Sequence, residues 1–279
     1  MMIECGKAVR SPDLRGANKT MQHSSKKIGS LQRAIDILNL FDDQTPELGT
    51  TEIGRALGLH KSTAASLIYT LEANGLLTQN PDTRKYHLGL KIVERASVML
   101  NQVEVRQVAH PRLEELRDQW NETVNLAILD GADIVYVERF LGSKALSMHS
   151  EVGWRAPAHS TGLGKAILSC LPLIAVKMYL ERYGLPPITP RTITDPPQFL
   201  AELDKAREQG YAIDDEENEL GGRCIAVPIF DHTGQVVAAV SVSAPTARLP
   251  IEDAPRVAQQ VRETAKAISR GLGYQPRSF

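Results

Sequence analysis

Between Thr50 and Leu77 the chain reads TTEIGRALGLHKSTAASLIYTLEANGLL. Two short stretches of helical periodicity meet there at a glycine. Ile53, Ala56 and Leu57 recur at helical spacing, and so do Ala64, Leu67, Ile68 and Leu71. Gly58 can take the left-handed conformation that ends a helix sharply, and Gly75 can do the same for the second helix. Leu59 is placed to fill the corner between them. Thr50 or Thr51 is expected to cap the first of these helices and Ser62 the second, through a side-chain oxygen that accepts a first-turn N–H.

An earlier helix is predicted from Leu31, Ala34, Ile35, Leu38 and Phe41. After Gly75 the run LLTQN-PDTR-KYHLG reads as two short strands about a turn at Pro81, Asp82 and Thr83. Three helices and a hairpin make a winged helix-turn-helix, whose second corner helix can enter a DNA major groove. Ser62, Thr63, Ser66 and Thr70 share the outer side of that helix, opposite Ala64, Leu67 and Leu71, with Tyr69 near them. Short hydroxyl side chains can reach base edges or phosphates. Lys61 at the helix start, Arg84 and Lys85 at the hairpin tip and Arg33 on the first helix are candidate phosphate contacts. A net charge of -1 gives no overall affinity for nucleic acid. The front end is basic all the same, with Lys7, Arg10, Arg15, Lys19, Lys26, Lys27 and Arg33 against Glu4 and Asp13.

Lys91 to Val108 is predicted as one long helical segment, and Pro111 as the opening of another that runs to Trp120. Beyond Trp120 the pattern turns β-rich. TVNLAILD, DIVYVERF and ALSMHS precede helices around Gly164–Ser169, Leu173–Tyr183 and Pro197–Gln209. YAIDD, RCIAVPIF and VVAAVSVS then bring strands back, and a helix closes the chain from about Ile251 to Leu272. The expected class is an α+β two-domain protein: a basic disordered tail (1–26), a DNA-binding domain (27–90), a linker helix (91–106) and an α/β domain with a mixed or antiparallel sheet (107–279). Hydrophobic residues at 42% and charged residues at 23% suit a water-soluble chain of this kind. Cys5, Cys170 and Cys224 are far apart, which argues against disulfides and a zinc site and for a reduced, cytoplasmic setting. No signal peptide or membrane span is expected, and no cofactor.

Several stretches together resemble the IclR family of bacterial transcription regulators. RAIDILNLF, the Thr50–Leu77 corner and KYHLGLKIVE resemble its N-terminal domain. HSTGLGKAIL, REQGYAIDDEENELGGRCIAVPIFD and VVAAVSVSAP resemble its effector domain. The resemblance spans roughly Ile28 to Tyr274. It implies a GAF-like pocket for a small organic acid, a linker helix that dimerises, and homodimers that pair into tetramers on a palindromic double-stranded operator. It also implies effector contacts at Gly162, Leu163, Asp214, Cys224, Ser241 and Ser243; Leu146 and Met148 are expected to supply an apolar wall. Family members often carry a larger or basic residue where this chain has Ala65 and Ser66, so base reading here is expected to lean more on the hairpin and the tail.

The residues fit that implication. Ser241 and Ser243, two apart on a strand, face the same way. Gly162 and Leu163 open a helix whose first N–H groups suit a carboxylate. The run Asp214–Glu219 is expected to be a solvated surface with Asp214 its one inward member. GLGK lacks the remaining residues of a phosphate loop. The expected function is a repressor of a catabolic operon, relieved by a glyoxylate-like acid or a sugar acid such as a keto-deoxy acid. SMHSEVG and HSTGLGK resemble glyoxylate-sensing relatives; RTIT, EENELGGRCIAVPIFD and AKAISRGLGY resemble those controlling sugar-acid use. The alternatives are an activator of the same type and an enzyme using Cys224 as nucleophile with His159 or His232 as base.

Overall fold

The computed structural model describes residues 28–42, 44–102, 104–143 and 151–275. The tail 1–26, ALSMHS, Leu146 and Met148 lie outside the described residues. The chain divides into two compact units, Met1–Glu94 and Arg95–Phe279.

In the first unit α1 (Gly29–Leu38), α2 (Thr50–Ala56) and α3 (Lys61–Ala73) surround a small core of Ile37, Ile53, Ile68, Leu71 and Leu77. Gly58 (φ +62) and Gly75 (φ +71) end α2 and α3 in the left-handed region, as the sequence predicts. The caps differ from expectation. α2 begins one residue after Gly49, whose N–H donates to the Glu52 carboxylate at 2.6 Å, so Thr50 and Thr51 lie inside the first turn. α3 is capped by His60, whose Nδ1 accepts from the Ser62 N–H at 3.4 Å and lies 2.8 Å from the Ser62 hydroxyl. An imidazole nitrogen thus takes the place expected of a serine oxygen.

β1 (Leu77–Gln79) and β2 (Tyr86–Leu88) form the hairpin, and Leu48 bridges to Tyr86 alongside them. In the first helix it is Ile37 that is fully buried, while Ile28, Leu31 and Ile35 remain exposed. α4 (Lys91–Gln102) follows, then α5 (Glu104–Trp120). Pro111 lies inside α5 and does not open it. The helix continues through the proline because Ala109, Leu113 and Leu116 on its inner face are fully buried, and that burial outweighs the roughly 3 kcal/mol an interior proline costs.

Among the described residues the second unit is built on one antiparallel sheet of six strands in the order β5-β4-β3-β8-β7-β6. Its strands are β3 (Thr123–Asp130), β4 (Asp133–Phe140), β5 (Arg155–Pro157), β6 (Ala212–Asp215), β7 (Gly222–Phe230) and β8 (Val236–Pro245). β5 is absent from the sequence reading; three residues ending in a proline carry no periodic signal, and a proline is tolerated there because the strand is at the edge.

α5 and α9 (Ala254–Gly271) cover one sheet face, over Val124, Leu126, Ile225, Val240 and Val242. α6 (Gly162–Ser169), α7 (Leu173–Tyr183) and α8 (Pro196–Gln209) cover the other. That second face is lined near α6 by small residues: Ala127, Ala212, Ala226 and Ala239 are all fully buried. Small side chains let α6 approach the sheet closely. Gly162 shows how closely, since a Cβ there would stand 3.1 Å from the Cys224 sulfur of β7, and Gly164 packs as tightly on the turn before α6, where a Cβ would stand 2.1 Å from the Ala158 carbonyl oxygen. Among the described residues no helix is long and apolar enough to cross a membrane.

Candidate functional site

Strand register places the polar residues of the second unit in two neighbouring rows. Asp214 lies opposite Cys224, Cys224 opposite Ser243, and Ser243 opposite Thr123. In the next row Ala226 lies opposite Ser241, and Ser241 opposite Asn125. The sheet therefore joins residues that are more than a hundred positions apart, and Asn125 donates to the Ser243 hydroxyl at 3.5 Å. α6 begins above these rows, its Thr161 hydroxyl accepting from the Gly164 N–H at 3.1 Å. A Cβ on Gly162 would stand 3.1 Å from the Cys224 sulfur and 3.4 Å from the Asp214 nitrogen. Gly162, Leu163, Asp214, Cys224, Ser241 and Ser243 are all buried.

Asp214 does more than point inward. Its Oδ1 accepts the N–H groups of Glu217 (2.8 Å) and Asn218 (3.2 Å), folding the loop back on the strand. Thr189 and Thr192 donate to the Glu216 and Glu217 carbonyls, both at 2.7 Å, and hold that loop from outside. The acidic run is therefore not simply a solvated surface. Glu217 is buried and paired with Lys165 of α6, a lysine with no exposed surface. Glu202 stands 3.8 Å from the same ammonium. The GLGK lysine is a buried counter-charge.

Burial drives the electrostatics. It pushes the Asp214 carboxyl up to about 7; Lys165 pulls it back and Glu217 adds to the rise. It raises the Glu217 carboxyl too, against the pull of Lys165. The Cys224 thiol is pushed up to about 11, first by burial and then by Asp214, with Ser243 and Ser241 pulling back. The Tyr136 phenol, buried on the same side, is raised by burial and then by Cys224 and Asp214. Two oxygens in this cluster lack a nitrogen or oxygen hydrogen-bond partner among the described residues: Ser241 Oγ, which faces the Cys224 thiol, and Glu217 Oε2.

The nucleophile reading is not favoured by this geometry. A thiol held at about 11 is protonated at neutral pH. His159 gives its Nε2 to the Pro186 carbonyl at 2.9 Å, and His232 sits in the β7–β8 turn against Gly273.

In the first unit Lys61, Ser62, Ser66, Tyr69 and Thr70 are exposed on α3, and Thr63 is half-buried. The Thr70 hydroxyl donates to the Ser66 carbonyl at 3.0 Å. The hairpin tip is rigidly built: Asn80 Oδ1 accepts from Asp82 and Thr83, and Arg84 is held at φ +58. Glu47, ahead of α2, accepts from the Asn80 amide (2.9 Å) and the Thr83 hydroxyl (3.2 Å). Arg84 and Arg33 are exposed, whereas Lys85 is paired with Glu52 of α2 at 3.2 Å.

Residues 30–81 match the family profile described as the IclR helix-turn-helix domain, and residues 97–270 match the bacterial transcriptional regulator IclR C-terminal profile. The chain belongs to the IclR family. It is a DNA-binding transcriptional regulator of that family. The regulator XynR of Escherichia coli K12 is 40% identical over 247 residues, covering 88% of this chain and 98% of XynR. The transcriptional repressor AllR of Salmonella typhi is 34% identical, covering 91% of this chain and 93% of AllR. The crystal structure of an IclR homologue from Microbacterium hydrocarbonoxydans complexed with 4-hydroxybenzoate superposes with a TM-score of 0.77 at 28% identity, over 87% of this chain and 98% of that one.

For an IclR-family chain the sequence reading missed Lys165, Glu217, Asn125 and Tyr136. One signal was available. A lysine inside the apolar run LGKAIL needs a buried partner of opposite charge, and the neighbouring acidic run is a source of one. Asn125 and Tyr136 carried no such signal; strand pairing alone brings them in.

Proposed function

We propose that this regulator represses a catabolic operon and releases it when a small carboxylate binds among Gly162, Leu163, Asp214, Cys224, Ser241 and Ser243. The ligand is a glyoxylate-like oxo acid or a sugar acid. The observation that carries this reading is the set of buried polar groups, Asp214, Cys224, Ser243 and Ser241, that strand pairing gathers beneath Gly162 at the start of α6, with Ser241 Oγ unmatched by any nitrogen or oxygen among the described residues. Buried polar atoms are nearly always satisfied. A hydroxy or oxo acid supplies an oxygen that accepts from the Ser241 hydroxyl, and its carboxylate suits the first-turn N–H groups. The naming of AllR as a repressor supports the sign of the response.

On the DNA side the reading assigns α3, through Ser62, Thr63, Ser66 and Thr70, to the major groove. Lys61, Arg33, Arg84 and Lys85 take phosphates. Two chains pair through residues 91–106 and the first domain, and present two such helices to successive grooves of a palindromic site. The exposed apolar residues Leu31 and Ile35 of α1 and Leu90 and Val93 around the start of α4 supply a surface for that pairing. A pair of dimers forms the tetramer. The protein acts in the cytoplasm and carries out no turnover of its ligand.

Coupling requires that the ligand prefer one arrangement of the two DNA-binding domains over the other. The test is a thermal-shift screen of small oxo and hydroxy acids, followed by operator-release titration of the best binder. A ligand at a hundred times its dissociation constant stabilises by about 2.7 kcal/mol. Stabilisation that disappears in Ser241→Ala, together with operator release, is expected; a binder indifferent to Ser241 and Asp214 would overturn the placement.

A further inference from the structure

A cavity of about 500 Å³ opens well away from the cluster below the start of α6. It lies between the C-terminal ends of α6 and α8, the far end of β7, and α9. Its size is within the roughly 300–1,000 Å³ of small-molecule sites. Gly162 and Ser169, at opposite ends of α6, are about 10 Å apart at 1.5 Å per residue, so the two places are separate.

The floor is apolar. Val227 and Phe230 of β7 contribute to it, and the Phe230 and Tyr274 rings stack at 5.3 Å between centroids. β6 pairs with β7 only as far as Ala226, which leaves this end of β7 uncovered by a strand. It is poorly equipped to accept one: Pro228 has no N–H, and the Phe230 N–H already donates to the Ser269 hydroxyl at 3.0 Å. The opening suits a compact ligand better than a peptide.

The rim is cationic. Arg262, Lys266 and Arg270 follow one another four residues apart on α9, so they share one face, and Arg207 of α8 lines the cavity with them. Like charges at that spacing repel, and among the described residues no carboxylate lines the cavity with them. Arg207 and Arg262 are held in place by carbonyls, Ser169 O at 2.8 Å and Gln209 O at 2.7 Å, which orient them without neutralising them; Asp204 pairs with Arg207 alone. Lys266 and Arg270 are exposed and make no ion pair among the described residues. In a chain of net charge -1 this is a local concentration of positive charge over an apolar floor.

We infer that this cavity is a second ligand site, distinct from the α6 cluster, for an amphipathic carboxylate with an aromatic or medium-chain body. The apolar body rests on Val227, Phe230 and Tyr274, and the carboxylate meets Lys266 and Arg270. The inference does not rest on the function proposed above.

The test is calorimetric titration of the full chain with phenylacetate and octanoate, and with 2-phenylethanol as an uncharged body of similar shape. Saturable binding of at least one acid, and at least tenfold weaker binding of the alcohol, are expected. The binding should survive in an Asp214→Asn/Ser241→Ala double variant. It should weaken tenfold or more in Lys266→Glu/Arg270→Glu, whose side chains are exposed and whose melting temperature serves as the check on folding. Absence of saturable binding by both acids at millimolar concentration overturns the inference. So does equal binding of the alcohol, or a charge-reversed variant that stays folded and binds as the wild type does.

Discussion

Lys165 and Glu217, 52 residues apart in the chain, form an ion pair in which the lysine has no exposed surface. Removing one partner leaves the other charge buried and uncompensated. Lys165→Met is therefore expected to destabilise the second unit by about 3–5 kcal/mol, whereas Lys165→Met combined with Glu217→Leu recovers most of that loss. Urea denaturation of both variants checks this; equal losses in the single and double variants would show that the pair acts through something other than charge.

Gly162 lets α6 close on the sheet, and Gly164 lets it close on the turn that precedes it. A methyl on Gly162 meets the Cys224 sulfur at 3.1 Å and its carbonyl at 3.2 Å. Small shifts relieve that, at about 1–3 kcal/mol, but the methyl takes the space beside Cys224 and Asp214. Gly162→Ala is thus expected to fold and to lose the small-acid response. Gly164→Ala would place its methyl 2.1 Å from the Ala158 carbonyl oxygen, where only the backbone could give way. Circular dichroism should show this second variant poorly folded; a native-like melt for it would contradict the packing described.

Asp214 predicts a pH dependence with a definite sign. Its carboxyl is raised from 3.8 to about 7, by burial first, with Lys165 opposing and Glu217 reinforcing. Between those values the native chain holds a proton that the unfolded chain has released. The contribution of this group to stability is therefore fully present below the unfolded value and is lost as pH rises towards 7. Asp214→Asn removes that loss. Calorimetric melting should show the variant gaining on the wild type steadily from about pH 4 to pH 7. A difference that is constant across that window would rule out the raised carboxyl. Where the ligand is an anion at this cluster, its affinity for the wild type should fall as pH passes 7 and stay flatter for Asp214→Asn.

The hairpin tip separates charge from backbone. Arg84 sits at φ +58, a region glycine enters readily and other residues do not. Arg84→Gly keeps the turn and removes the cation. Each of Arg84→Gly and Lys61→Ala is expected to weaken operator binding and to reduce the slope of log K against log salt by about 1. Lys85→Ala should do less, because Lys85 is already paired with Glu52 at 3.2 Å. Fluorescence anisotropy over a salt series is the measurement, and unchanged slopes in the first two variants would remove these residues from the interface.

Much of this was legible in the chain before any fold was drawn. The inner face of α3, the glycine stops at 58 and 75, and the common side of Ser241 and Ser243 all follow from periods of 3.6 and 2, which are properties of neighbouring residues. The caps were misread because Ser and Thr oxygens are the usual acceptors for N–H groups at a helix start, while here Glu52 and His60 lie within reach instead. Pro111 was misread as a helix start because its local preference was weighed without the burial of Ala109, Leu113 and Leu116.

The sequence by itself determined which residues could be inside and in what order helices and strands follow, since backbone dihedral preference and apolar spacing act over a few residues. Only the tertiary structure decided that β3 lies beside β8, which brings Asn125 to Ser243, and that Glu217 turns inward to Lys165. The reason is that an apolar face specifies only that it be covered, and a buried charge only that it be matched. Which strand does the covering, and which of several carboxylates does the matching, is fixed when the whole sheet and its helices close together.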